Sequence, residues 1–445
     1  MARVAGVMIV IALTACTADR DAATDRSPTT TASPTTTGSP TPSPTPAALT
    51  RDDKWRADVA ETLDAIVDAH PDPFAAVSEA KLRGMADDLV ADVPTLSDDE
   101  VVGRLMALVA ALGTGNGHSG VFPLAQPGSV LHALPLRLYQ FADGTFVVDA
   151  LPPYRELVGS RVLSIGGERV EDVATRLAPL VPADNAHSRR SRLPLHLVVP
   201  ELVTTVGGAR DMRLRLRSGG RERTVAPVAV PMEKYAEWLG FVSPLVPPSL
   251  PARRTDPVPH WLSDQQENFW LRWLPRSRTV YVQYNLVQGA TAAGETMYEL
   301  ADRLVAEVGR RRAVRVVVDV RHNPGGENSA SAPLLAVLEK LRMPVVLLTG
   351  PATFSAAGVF AAKAQADARA VVVGEPTGGA PTLYGDGEPV TLEHSGVVVH
   401  VAEQFHETIE GDDRTTIPPD VPVALTAADY FAGRDPVLAR ALRVR

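Results

Sequence analysis

Residues 314–326 read Val-Arg-Val-Val-Val-Asp-Val-Arg-His-Asn-Pro-Gly-Gly, and their reading decides the fold class. Val314–Val320 is a β-branched run without polar–apolar alternation, the pattern of a strand covered on both faces in a parallel sheet. It opens into a turn at Asn323-Pro324. There the paired glycines Gly325 and Gly326 leave backbone N–H groups free to approach a substrate carbonyl. Strand and helix patterns alternate around it. Strands are predicted over Thr279–Tyr284, Pro344–Leu348 and Ala370–Val373, and helices over Glu295–Val308, Ala332–Leu341 and Ser355–Gln365. Residues 265–445 therefore read as an α/β domain.

The strand at Pro344–Leu348 leads through Thr349-Gly350-Pro351-Ala352-Thr353-Phe354 to Ser355-Ala356-Ala357-Gly358. A serine there stands at a helix N-terminus, where first-turn amides can donate to a developing oxyanion. An N-cap serine is the competing reading of Ser355 taken by itself. Asn285, just after the Thr279–Tyr284 strand, is a candidate cleft residue, with a strand-end turn as its alternative.

Moving towards the N-terminus, residues 232–264 are Pro-rich and read as a connector. Residues 120–231 carry short β-branched runs (Leu136–Tyr139, Thr145–Ala150, Arg161–Ile165, Met212–Leu216) with glycine turns at Gly166-Gly167 and Gly219-Gly220. Gly159–Gly167 followed by a helical Val170–Leu177 resembles the core of a PDZ-like domain. Residues 51–119 form a helical module. Trp55, Val59, Leu63 and Ile66 recur at helical spacing, and Ser97-Asp98-Asp99-Glu100 is a capping box. Residues 17–50 are rich in Ser, Thr and Pro and have too little apolar surface to offset chain entropy, so they read as a disordered stalk. Residues 1–16 carry Arg3, an apolar run from Val4 to Leu13 and then Leu13-Thr14-Ala15-Cys16. That stretch resembles a bacterial lipobox, with Cys16 as the lipidated residue. The expected location is the outer face of the cell membrane, reached through a lipid anchor.

The net charge of -8 and pI near 5.7 argue against a nucleic-acid partner. The one cysteine of the chain excludes a multi-thiolate zinc site and an internal disulfide. The ten histidines are scattered singly, with no His-Glu-x-x-His helix and no phosphate loop, so neither a metal nor a cofactor is implied.

The blocks at 314–326 and 353–379 (Thr-Phe-Ser-Ala-Ala … Gly-Glu-Pro-Thr-Gly-Gly) resemble the signatures of the tail-specific (carboxy-terminal processing) and tricorn-core serine peptidases. So does the closing segment Ile417-Pro418-Pro419-Asp420-Val421 … Gly433-Arg434-Asp435-Pro436. The resemblance implies a crotonase-like (ClpP-like) core, Ser355 as nucleophile, and an oxyanion hole from the Ala356 amide with that of Gly325 or Gly326. Tail-specific members pair the serine with a lysine about 25 residues later, but position 380 is Ala and no lysine follows Lys363. The tricorn branch uses an N-terminal histidine instead, and Gly115-Asn116-Gly117-His118-Ser119-Gly120 matches that block. His118 is then the general base, with His322 as a rival. The orienting acid falls on Asp413, with Asp412, Glu410 and Glu375 as alternatives.

The expected activity is that of an exported serine endopeptidase acting on peptides or proteins. Two other readings are a lapsed peptide-binding scaffold, suggested by Gly358 where many relatives carry Glu, and an esterase or transpeptidase acting on the envelope.

Overall fold

The structure is a computed structural model that describes residues 48–126, 130–240, 250–251 and 258–444. The expected signal peptide, Cys16 and nearly all of the stalk lie outside the described residues.

Three helices come first: α1 (Arg51–Ala69), α2 (Glu79–Asp92) and α3 (Asp98–Ala110). Ser97 and Glu100 form the predicted capping box at α3, with the Ser97 N–H donating to Glu100 Oε2 at 2.8 Å. The apolar faces of these helices join one large core with the β region that follows. That region is an antiparallel sheet of β1 (Leu136–Phe141), β2 (Gly144–Ala150), β3 (Arg161–Ile165), β4 (Leu214–Ser218) and β5 (Arg221–Val225), hydrogen-bonded in that order. Helix α4 (Val170–Leu177) packs on β3. The segment is less purely β than its sequence suggests, because α5 (Ala186–His196) and a short helix at Pro200–Thr205 separate β3 from β4. Asn185 starts α5 by accepting from the His187 and Ser188 amides, a cap the β-branched pattern does not reveal. The expected connector also opens on a helix, α6 (Met232–Leu239), and Trp261 further along is buried against Phe141 and Tyr430.

The second sheet runs β13–β10–β9–β8–β7–β6, comprising β6 (Phe269–Leu274), β7 (Thr279–Tyr284), β8 (Arg315–Asp319), β9 (Val345–Thr349), β10 (Val371–Gly374) and β13 (Val421–Pro422). All its neighbours are parallel except the β6–β7 pair. Every residue of β8 is buried, as its uninterrupted pattern requires. Side-chain alternation divides it between two cores. Val316 and Val318 face a cluster containing α7 (Met297–Arg311), α8 (Ala332–Lys340) and α9 (Ala356–Ala366), while Val317 faces Val346, Leu348 and the C-terminal helix α10 (Pro436–Ala441). Burying such a valine contributes roughly 1.5–3 kcal/mol.

Where β8 ends, buried Arg321 donates to Asp319 (2.6 Å) and to Asp435 (2.8 Å), tying the strand to the start of α10. The turn bearing Gly325-Gly326 is thereby fixed at the carboxyl end of the sheet. A two-stranded ribbon of β11 (Thr382–Gly385) and β12 (Gln404–Glu407) completes the surroundings of the site.

Candidate active site

Ser355 occupies the N-cap position of α9, but its hydroxyl makes no cap hydrogen bond. Its backbone stands at φ 52° and ψ -131°. A left-handed φ on a non-glycine residue costs about 1–3 kcal/mol and persists only where the surroundings impose it. Here the Phe354 N–H donates to the Asn323 carbonyl, the Gly379 N–H to the Thr353 carbonyl, and the Thr353 hydroxyl to the Val320 carbonyl. The strain turns Oγ away from the helix and towards His118. Ser355 Oγ and His118 Nε2 lie 2.9 Å apart, although the two residues are separated by 237 positions.

His118 sits in the loop after α3. Gly120 pairs on both sides with His400, and the Ser119 hydroxyl accepts the Ala402 N–H at 3.0 Å. The imidazole stacks on Phe354 with ring centroids 4.7 Å apart. Burial, with the charges of Arg192 and His406, lowers its pKa to about 3, and the Tyr384 carbonyl opposes that shift. The ring is therefore neutral at ordinary pH, with Nε2 able to accept the Ser355 proton. Its Nδ1 is buried and has no hydrogen-bond partner among the described residues.

The glycine turn meets this pair closely. Gly325 has φ 107°, and a Cβ there would lie 2.6 Å from the Ser355 Cβ. Its N–H is already given to Asn323 Oδ1 at 2.9 Å, and its carbonyl accepts from Val287. Gly326 and Ala356 line the cleft with His118 and Ser355, whereas Gly325 does not. Asp386 and His406 line the same cleft and pair with each other at 3.0 Å.

The structure does not bring the remaining sequence candidates to the pair. Asp413 is exposed, and no hydrogen bond or ion pair joins it to His118. Its position before the Pro419-Asp420 block suggested it, but there the neighbouring Asp412 pairs with Arg414 at 2.6 Å. Glu410 is exposed, and Glu375 pairs with Arg190 at 2.5 Å. His322 stacks on Trp261, at 5.1 Å, in a separate pocket. Asn285 does not line the cleft: its amide donates to the Glu267 carbonyl at 2.9 Å and it accepts from Gln283, holding the 264–268 loop. Sequence reasoning missed Asp184, Arg192, Phe354, Asp386 and His406. Phe354 lay inside the quoted Thr353–Ser355 stretch with no role given to it, and the Asn185 cap, with Ser188 three residues on, was the signal near Asp184 and Arg192.

Comparison with known proteins bears on this geometry. The sequence profile of peptidase family S41 matches residues 337–423, the stretch that holds Ser355 and the Gly378-Gly379 turn. Over that stretch the chain is similar to peptidase family S41. Among solved structures, mature CPAF complexed with lactacystin is 14% identical, covering 86% of this chain and 96% of that one with a TM-score of 0.57. Mature CPAF alone is likewise 14% identical, covering 87% and 96% with a TM-score of 0.56. These likenesses extend the shared fold across both sheets. The tricorn protease, 14% identical over 88% of this chain and 36% of that one, has a TM-score of 0.38, too low to support an argument about branch. No curated protein sequence matches the chain.

Proposed function

We propose that the chain cleaves peptide bonds through an acyl-enzyme on Ser355, with His118 as general base. The observation that carries this reading is the 2.9 Å approach of His118 Nε2 to Ser355 Oγ across 237 residues, on a serine whose strained backbone serves no capping role. As Oγ attacks the scissile carbonyl carbon, its proton passes to Nε2, and the carbonyl oxygen becomes an oxyanion facing the Gly326 and Ala356 N–H groups. Collapse of the tetrahedral intermediate breaks the C–N bond, and His118 returns the proton to the leaving amine. Water then attacks the ester by the same route in reverse. His118 Nδ1 has no hydrogen-bond partner among the described residues, and the reading includes no acid. This Ser–His pairing also favours the tricorn-like branch over a Ser–Lys dyad.

In the same reading, residues 265–445 are a crotonase-like core and 120–231 a PDZ-like domain, on the support of the parallel sheet and of the glycine turns before α4. Export and lipid anchoring rest on the Leu13–Cys16 motif and the stalk composition alone. Cleavage of a fluorogenic peptide library by wild type and Ser355→Ala tests the activity. The expected result is turnover lost in the variant; equal rates in both would overturn the reading.

A further inference from the structure

Two buried charged groups lie beside the pair and take no part in the proton transfer. Asp184 is fully buried and Arg192 is 3% exposed; their charges attract each other, but each spends its hydrogen bonds on backbone groups. Each grips Gly117, the residue before His118, from a different side. Asp184 Oδ1 accepts the Gly117 N–H at 2.7 Å, and Arg192 Nη1 donates to the Gly117 carbonyl at 2.7 Å and to the Pro182 carbonyl at 2.6 Å. No side chain fits at Gly117, because a Cβ would lie 2.7 Å from Asp184 Oδ1 and 2.9 Å from the Phe354 ring.

The same two side chains also reach the serine. Asp184 Oδ2 accepts the Ala380 N–H at 3.3 Å, and Ala380 follows the Gly379 that packs against the backbone of Phe354 and Ser355. The Arg192 guanidinium lies 4.4 Å from the centre of the Phe354 ring, on which His118 also stacks. Asn185, next to Asp184, donates to the Gly378 and Thr415 carbonyls, so the start of α5 is seated on the S41 segment. Burial raises the Asp184 pKa to about 6 and lowers that of Arg192 to about 10. Buried charges of this kind are poor stabilisers compared with apolar side chains of similar volume.

We propose that Asp184 and Arg192 are positioning residues, clamping the two peptide units that flank Gly117 so that His118 is held in register with Ser355. The inference rests on the Ser355–His118 reading above. A carboxylate serves both N–H groups at once, whereas an amide can accept with only one of its two ends. Asp184→Asn therefore frees either the His118 loop or the segment behind Ser355. Misplacement by about 1 Å can cost on the order of 100-fold in rate.

The test measures kcat and KM separately on full chain, together with the rate of Ser355 labelling by a fluorophosphonate. Each variant is checked by thermal melting. For Asp184→Asn the expected result is kcat reduced by about 10-fold or more, KM within about twofold, and labelling slowed in proportion to kcat. Arg192→Lys keeps the charge but cannot span both carbonyls and the Phe354 ring, and it is expected to show the same split. A folded Asp184→Asn with wild-type kcat, or with a loss confined to KM, overturns the inference. If Asp184→Asn does not fold, Arg192→Lys decides by the same criteria. A wild type that neither cleaves peptides nor takes the label contradicts the dyad reading instead.

Discussion

Lowering the pH from 7 to 5 should weaken the fold by several kcal/mol, and the cause is a set of buried histidines. Burial is the first cause in each case: His118 and His322 are pushed down to about 3 and His196 to about 4. In the unfolded chain each regains a pKa of about 6.5, so below that value the unfolded state binds protons the folded state refuses. A depressed folded pKa means stability that is full above 6.5 and lost as pH falls towards the folded value. At pH 5 each histidine has lost about 1.5 units at 1.36 kcal/mol per unit, or about 2 kcal/mol, and the three together about 6 kcal/mol. Asp184 acts in the opposite sense. Its folded pKa of about 6 exceeds the carboxylate reference, so acidification from 6 to 5 returns about 1 kcal/mol. The net loss is about 5 kcal/mol, a large share of the roughly 5–15 kcal/mol typical of a folded domain. His70, His187, His260 and His400 are lowered as well, chiefly by burial, and add in the same direction. Urea unfolding at the two pH values reads the difference, and His196→Leu should reduce it by about 2 kcal/mol. A chain equally stable at pH 5 and pH 7 would refute the reasoning.

Three further outcomes follow from the packing. Gly325→Ala places a methyl 2.6 Å from the Ser355 Cβ at φ 107°, so kcat should fall by about 100-fold or more; a variant with wild-type kcat would mean the turn is not part of the site. Asp413→Ala should leave kcat/KM within about twofold, whereas the acid of a working triad is worth about 10⁴-fold on removal. Asp435→Ala removes one of the two carboxylates on buried Arg321 and the cap of α10, and should cost about 3 kcal/mol in urea unfolding.

The parallel-sheet half of the molecule was legible in the sequence because its strands are buried on both faces. Uninterrupted runs such as Val314–Val320 and Pro344–Leu348 leave no doubt of type, and the observed β8 and β9 fall within a residue or two of them. The helix carrying Ser355 was marked by its small residues. His118 was reachable only through the resemblance of the Gly115–Gly120 block to the tricorn branch and the lack of a late lysine, since no periodicity points to a loop histidine. Asp413 illustrates the limit of spacing arguments: chain position placed it near the site, but Arg414 engages its neighbour Asp412 and the side chain of Asp413 faces solvent. Asp184 and Arg192 were not legible at all. Their roles depend on backbone groups of Gly117 and Ala380, and contacts to backbone leave no complementary residue to find.

The most direct test is to treat the protein with a fluorophosphonate and map the adduct by peptide mass spectrometry, in wild type, Ser355→Ala and His118→Ala. The account predicts one adduct on Ser355 in wild type, none in Ser355→Ala, and labelling slowed by on the order of 10³-fold or more in His118→Ala with the fold intact. An unlabelled wild type, or His118→Ala reacting as fast as wild type, would contradict it.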